Sequence, residues 1–252
     1  MRKIGLQLYS IHSEAEKNFL DTLENVRNMG YDSVQFAGLF GISAKEVKKV
    51  LDSTGLSAAG AHVPFDQFSG EAFKRQMEDQ LILGNDLMIM PYLTEEQRKS
   101  LDDYKRVADI LNEAGFRSKE FGIKVAYHNH DFEFYQIDNK MPFDLIYTET
   151  DPELVKMELD TYWAKYAGYE PSELLNTYRT RCVSFHIKDM KQIGEEKSTT
   201  IAGEGVLDIK GFLNLAEEQK VDYLVIEQEH FEGNPLLEVE KGVQNVKALI
   251  ED

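Results

Sequence analysis

The sequence predicts an α/β protein, a single (β/α)8 TIM barrel spanning residues 1–252, on three observations. Eight short apolar runs of strand character alternate with segments of helical period. The runs start about thirty residues apart, the length of one βα unit, and no Gly/Ser- or Pro-rich linker interrupts them. The turn after the first run, Ser10-Ile11-His12-Ser13, has no glycine, whereas a doubly wound nucleotide-binding sheet needs a glycine-rich turn there.

The elements follow in order. Lys3–Ser10 is the first strand, and the helix Glu14–Met29 carries Phe19, Leu20, Leu23 and Val26 at helical spacing before Gly30 closes it. Tyr31–Ala37 is the second strand, and Ser43 caps a helix running to Ser53. Leu56–Val63 is the third, stopped by Pro64 and followed by the helix Gly70–Leu83. Asp86–Tyr92 is the fourth, and Thr94 with Gln97 reads as the capping box of one long helix, Glu95–Phe121. The fifth strand runs from Ile123 into Val125–Phe134, with the helix Met141–Thr148 after it. Leu154–Trp163 is the sixth, then the helix Pro171–Thr177, then the seventh strand Cys182–Met190. Gln192–Gly205 lacks apolar periodicity and is expected to be a mobile polar loop. The helix Ile209–Gln219, the eighth strand Tyr223–Glu229 and the helix Pro235–Ile250 complete the chain.

Composition excludes several function classes. The 28 basic against 45 acidic residues leave a formal charge of −17, a field that repels nucleic-acid backbones and anionic membranes. No apolar run approaches the ~20 residues that cross a bilayer. The chain enters a strand directly after Met-Arg-Lys, so no signal peptide is expected. Cys182 is the sole cysteine, which removes disulfides and cysteine-rich zinc sites and points to a reducing cytoplasm. The composition is compatible with a homo-oligomer.

Chemistry concentrates at the C-terminal ends of the strands, where barrel enzymes place their catalytic groups. The stretch Val-Ala-Tyr-His-Asn-His-Asp-Phe-Glu-Phe (125–134) passes from apolar strand into two histidines, two acids and an amide. Burying those groups unpaired would be costly. His128, His130 and Glu133 after strand five, Asp160 on six, His186 on seven and Glu227 on eight are all metal-competent. Imidazole and carboxylate donors without thiolate suit one divalent ion, Mn, Co, Fe, Zn or Mg. Each residue also has a plainer reading: Asp160 as a helix cap, His62 or His186 as hydrogen-bonded core histidines, Lys188 as the partner of Asp189 at the rim. Glu227 has less of one, because its strand is otherwise apolar. His12 and His230 read as surface residues.

The motifs Tyr-His-Asn-His-Asp-Phe-Glu-Phe (127–134), Leu-Asp-Thr (159–161), Phe-His-Ile-Lys-Asp (185–189), Gly-Glu-Gly (203–205) and Ile-Glu-Gln (226–228) resemble those of the sugar phosphate isomerase/epimerase family. That family belongs to the xylose isomerase-like TIM-barrel (AP endonuclease family 2) superfamily, with endonuclease IV, tagatose/psicose epimerases and inosose dehydratase. The resemblance covers essentially the whole chain. It implies one divalent metal held by Glu, Asp, His and Glu at the ends of strands five to eight, and Asp160, His186 and Glu227 match the last three. At strand five His128 replaces the usual Glu, and Glu133 follows in the loop, so both stand as candidates for the first ligand.

The expected reaction is isomerisation or epimerisation of a small sugar, sugar phosphate or keto-sugar through a metal-stabilised enediolate. Glu227 with either Glu133 or His130 would move the proton, and Lys188 would stabilise the oxyanion or steer a phosphate. His62, Gln7 and Trp163 would line the sugar pocket. The alternative is a dehydratase of the inosose dehydratase type, towards which His-x-His at strand five leans. A trinuclear endonuclease is disfavoured by the charge and by six histidines, several of them misplaced. Lys197 to Thr200 could cradle a phosphate, as could any exposed loop of that composition.

Overall fold

A computed structural model describes residues 3–251. Strands β1 (Ile4–Gln7), β2 (Ser33–Phe36), β3 (Ser57–His62), β4 (Leu87–Met90), β5 (Lys124–His128), β6 (Val155–Asp160) and β7 (Cys182–Ile187) form the barrel with β10 (Tyr223–Ile226). All neighbours are parallel, and β10 closes the ring between β7 and β1. A two-stranded antiparallel hairpin, β8 (Asp189–Ile193) with β9 (Glu196–Thr200), stands apart from the ring.

Alternation along each strand sorts the side chains into two populations. Val125, Tyr127, Val155, Met157, Leu159, Phe185 and Ile187 join the core between strands and helices, with Val107, Leu111 and Ala114 from the helix Leu101–Ser118. Ala126, Leu87 and Ile89 pack with Val183 and Tyr223 as a separate apolar cluster. On the same parity as Ala126, two residues on, lies His128. The inward face therefore changes from apolar to polar towards the strands' C-terminal ends, where Gln7, Gln35, His128, Glu158, Asp160, Ser184 and His186 are all buried. Gly60, at φ +112°, makes room for this layer: a Cβ there would meet Gln35 Nε2 at 3.1 Å and Ile89 Cδ1 at 2.9 Å.

Several boundaries differ from the sequence reading, each for a local reason. The predicted helix Glu14–Met29 breaks at Asn18, whose side chain accepts from Asp21 N and caps the helix Phe19–Asn28. The predicted helix Glu95–Phe121 is interrupted. Thr94 and Gln97 cap only a 3-10 turn, and a second capping box, Ser100 with Asp103, opens the helix Leu101–Ser118. The sixth strand stops at Asp160, because its Oδ1 accepts from Trp163 N at 2.8 Å and starts the helix Thr161–Tyr166. Gln192–Gly205, expected as a mobile loop, holds β9. Thr199 Oγ1 accepts from Glu229 N and His230 N, and the Asp189 carboxylate accepts from the backbone N–H groups of Gly203, Gly205 and Leu207. Among the described residues no helix is long and apolar enough to cross a membrane.

Candidate metal centre

Register assembles the site. His128 is level with Glu158, Glu158 with Ser184, and Asp160 with His186 on adjacent strands. Glu158, which sequence reasoning passed over, lies at the centre. Its Oε1 faces His62 Nε2 at 2.8 Å, His128 Nδ1 at 3.0 Å and His186 Nε2 at 3.1 Å. Its Oε2 accepts from Gln35 Nε2 and Ser184 Oγ, both at 2.6 Å. Burial works to raise the Glu158 carboxyl, but the charge on His186 and the imidazole hydrogen bonds overcome it and hold it well below the usual range.

Both bridging rings present their other nitrogen to a second layer. His128 Nε2 and His186 Nδ1 each stand 3.9 Å from Asp160 Oδ2, and His186 Nδ1 is 3.1 Å from Glu227 Oε2. Single donor atoms of His128, Asp160, His186 and Glu227 lie within 4.8 Å of one another, all four residues buried. Asp160 Oδ2 has no hydrogen-bond partner, although its sister oxygen is committed to Trp163 N. A buried carboxylate oxygen without a hydrogen bond is compensated by a cation; Lys188 Nζ stands 3.4 Å from it, and the donor atoms around it could hold a further one. The donor set is that of a divalent ion, and the Glu158–imidazole pairs beneath it have the form that orients metal-ligating histidines. The residues fit such a group. Glu158 also joins His62, His128 and His186 in an overlapping donor set, but its oxygens are already taken up by five hydrogen-bonding contacts.

Lys188 supplies the resident positive charge. Its Nζ is 2.6 Å from Glu229 Oε1, 2.9 Å from Glu227 Oε2 and 3.4 Å from Asp160 Oδ2. Burial would lower the ammonium, but these carboxylates raise it instead. The Glu227 carboxyl would be raised by burial and is held well below its ordinary range by Lys188 and His186. Asp160, with less compensation, is pushed up to about 6 by burial. Desolvation pushes His128 down to about 3 and takes His130 well below its ordinary value. Both rings are therefore neutral and able to lend a lone pair.

A cavity of about 1070 Å³ opens above these groups, lined in part by His62, His128, His130, Trp163, Glu227 and Glu229. His130 stacks on Phe132 and sits 5.4 Å, centroid to centroid, from Trp163. His130 Nδ1 and Trp163 Nε1 are buried without partners. Of the four such atoms among the described residues, these two belong to the cavity wall.

Two sequence expectations are corrected. Glu133 does not reach the cluster: the 3-10 turn Phe132–Phe134 folds its carboxylate back onto the Tyr127 hydroxyl and His130 N. It is fully buried and braces the loop, outside the donor set of His128, Asp160, His186 and Glu227. Gln7 lies beneath the pocket, donating to Gln35 Oε1 at 2.6 Å. It buttresses Gln35 without lining the cavity. His62 both lines the cavity and bonds Glu158. Lys188 joins Asp160, Glu227 and Glu229, not a rim pair with Asp189, whose oxygens are taken by backbone N–H groups. Glu158 and Glu229 could have been found by parity, since they lie two residues before Asp160 and two after Glu227.

Glu133 gives a stability test separate from catalysis. Burial raises its carboxyl to about 7. The fold keeps the proton where the unfolded chain, near the ordinary value of about 4.3, has lost it. Stability should therefore fall as pH rises through that window, by up to about 4 kcal/mol. Glu133→Gln keeps an acceptor and removes the titration. Denaturant unfolding from pH 4.5 to 8 should show a shallower decline for the variant; parallel profiles would contradict this assignment.

The same arrangement has relatives. Residues 23–249 match the family described as Xylose isomerase-like TIM barrel. A sugar phosphate isomerase/epimerase from Parabacteroides distasonis superposes with a TM-score of 0.82 at 27% identity, over 97% of this chain and 93% of that one. A 3-keto-D-glucoside 4-epimerase from E. coli shares the fold, with a TM-score of 0.72 at 20% identity, over 98% of this chain and 100% of that one. An inosose dehydratase of Lacticaseibacillus casei is 28% identical over 152 residues, which are 53% of this chain and 50% of that protein. The chain thus spans about half the length of that curated relative, whereas a Clostridium tetani inosose dehydratase, 24% identical, is matched over 93% of this chain and 92% of its own length.

Proposed function

The chain belongs to the xylose isomerase-like TIM-barrel family, and we propose that it is a divalent-metal-dependent isomerase or epimerase of a small keto-sugar. The observation that carries this reading is the convergence of His128, Asp160, His186 and Glu227 beneath a cavity, with Asp160 Oδ2 making no hydrogen bond. A divalent ion held there would polarise a substrate carbonyl and so acidify the neighbouring C–H bond.

The chain's own groups do the rest. His130, neutral and with a free Nδ1, accepts a proton from one face of the sugar; the other face, beside Glu227 at the floor of the cavity, takes one from a solvent water, and His130 then gives its proton up to solvent. Lys188 holds Glu227 ionised and anchors Glu229 beside it. Trp163 and His130 wall one side of the ring and keep water from it.

A second reading, loss of a β-hydroxyl after the same proton abstraction, is supported by the relatives named inosose dehydratase and by His-x-His in place of a strand-five Glu. Incubation of the Mn-loaded protein with keto-sugars in deuterated water separates the two. Deuterium at an α-carbon with the carbon skeleton and oxygen count intact is expected. A dehydrated product moves the assignment to the lyase, and no exchange across a broad panel removes both.

A further inference from the structure

The cavity is larger than one sugar ring needs, and its far part has a different chemistry from its floor. At about 1070 Å³ it reaches the upper end of the ~300–1,000 Å³ range of sites for drug-sized ligands. Away from the donor cluster it is lined by Phe36, Leu39 and Ile42 from the segment after β2, by Gln67 and Gln76 after β3, and by Tyr92 after β4. The backbone after β2 is shaped for this: Gly38 and Gly41 have φ of +98° and +77°, and Phe40 between them has φ +52°. That geometry keeps Leu39 and Ile42 on the cavity wall, half-buried.

The charge of the lining is as informative as its size. Among the described residues that line the cavity there is no Lys or Arg, while Asp79, Glu227 and Glu229 are acidic. Lys188 is fully buried and held by three carboxylates. The helix N-terminus that opens on the cavity, at Ser43, is already closed by the Glu46 carboxylate, which accepts from Ser43 Oγ at 2.6 Å and Ser43 N at 3.3 Å. A phosphate would thus find neither a cationic side chain nor that helix terminus.

We propose that the substrate is an unphosphorylated keto-glycoside, its keto-sugar ring over the donor cluster and an uncharged ring on its anomeric oxygen in the lobe of Phe36, Leu39, Ile42, Gln67 and Gln76. This rests on the keto-sugar reading of the same site. The apolar wall takes a face of the second ring, and the amides take its polar edge.

The test is calorimetric binding to the Mn-loaded protein of four probes: 3-keto-D-glucose, its 6-phosphate, its p-nitrophenyl β-glycoside, and the disaccharide bearing a β-glucosyl group in place of the aryl ring. At least a tenfold tighter Kd for either glycoside than for the free keto-sugar is expected, with the phosphate weakest. Which glycoside is preferred tells an aryl from a glycosyl substituent. Leu39→Asp, checked for an unchanged melting temperature, should bring the ratio towards one. Equal affinities, a tighter phosphate, or no binding by any probe overturns the proposal. Because binding is read without turnover, its failure is distinct from a failure of solvent deuterium exchange, which concerns the reaction itself.

Discussion

Asp160→Asn should weaken cation binding at least about a hundredfold while leaving the fold intact. The substitution is clean because Asp160 has two separable duties. Oδ1 caps the helix Thr161–Tyr166 through Trp163 N, and asparagine caps as well as aspartate. Oδ2 is the orphaned oxygen facing His128, His186 and Lys188, and the amide nitrogen that replaces it donates where an acceptor is needed. A loss of at least about a hundredfold in Mn affinity is expected, in line with what perturbing a metal site costs. At a Mn concentration a hundred times the wild-type Kd, the wild type gains about 2.7 kcal/mol of stability and the variant about 0.4. Thermal melts with and without Mn read this directly. A variant whose melting temperature still rises with Mn as the wild type's does would end the assignment of Asp160 as a ligand. The metal-free variant should be no less stable than metal-free wild type, since the carboxyl it loses is pushed up to about 6 by burial.

Glu158→Gln should do the opposite, damaging the fold first and the centre through it. Glu158 is fully buried and is not itself part of the cavity lining, yet five side chains from four other strands hydrogen-bond or ion-pair with it. Gln35 brings β2, His62 β3, His128 β5, and Ser184 with His186 β7. Removing one partner of a buried ionic network typically costs roughly 3–5 kcal/mol, because the others stay buried and uncompensated. For a chain of this size that is roughly 6–15 °C in melting temperature. The two imidazoles also lose the carboxylate charge that fixes their orientation, and an amide NH2 must face either them or the Gln35 and Ser184 donors, so Mn affinity should fall by about 10–100-fold. A variant that melts like wild type and binds Mn equally well would show the network to be incidental. The pairing of the two variants matters more than either alone: Asp160→Asn separates binding from folding, and Glu158→Gln joins them.

What the chain disclosed in linear form was whatever local periodicity encodes. The eight barrel strands lie where the short apolar runs placed them, and the apolar-to-polar change at Val125–Phe134 marks the C-terminal mouth. Asp160, His186 and Glu227 converge as their strand ends implied. Glu158 was missed because its partners are remote in sequence, so nothing near it announces a polar barrel interior. Gln35, 123 residues away, is one of them. Glu133 was misplaced for the converse reason. Charge arithmetic drew it towards a cation, but a three-residue turn, invisible to periodicity, aims it back at Tyr127. The hairpin β8–β9 was lost in a polar composition, because its order comes from hydrogen bonds to the barrel and not from apolar faces.

That hairpin sets the direction of traffic. Thr199 anchors it to the segment after β10, and Lys197 Nζ reaches Tyr166 O after β6 at 3.2 Å. One half of the barrel's rim is thereby shuttered. The opposite half borders the cavity with Tyr9, Leu39, Gln67 and Tyr92 after β1 to β4, so exchanges in those four segments should alter how fast ligands come and go before they alter any step at the floor.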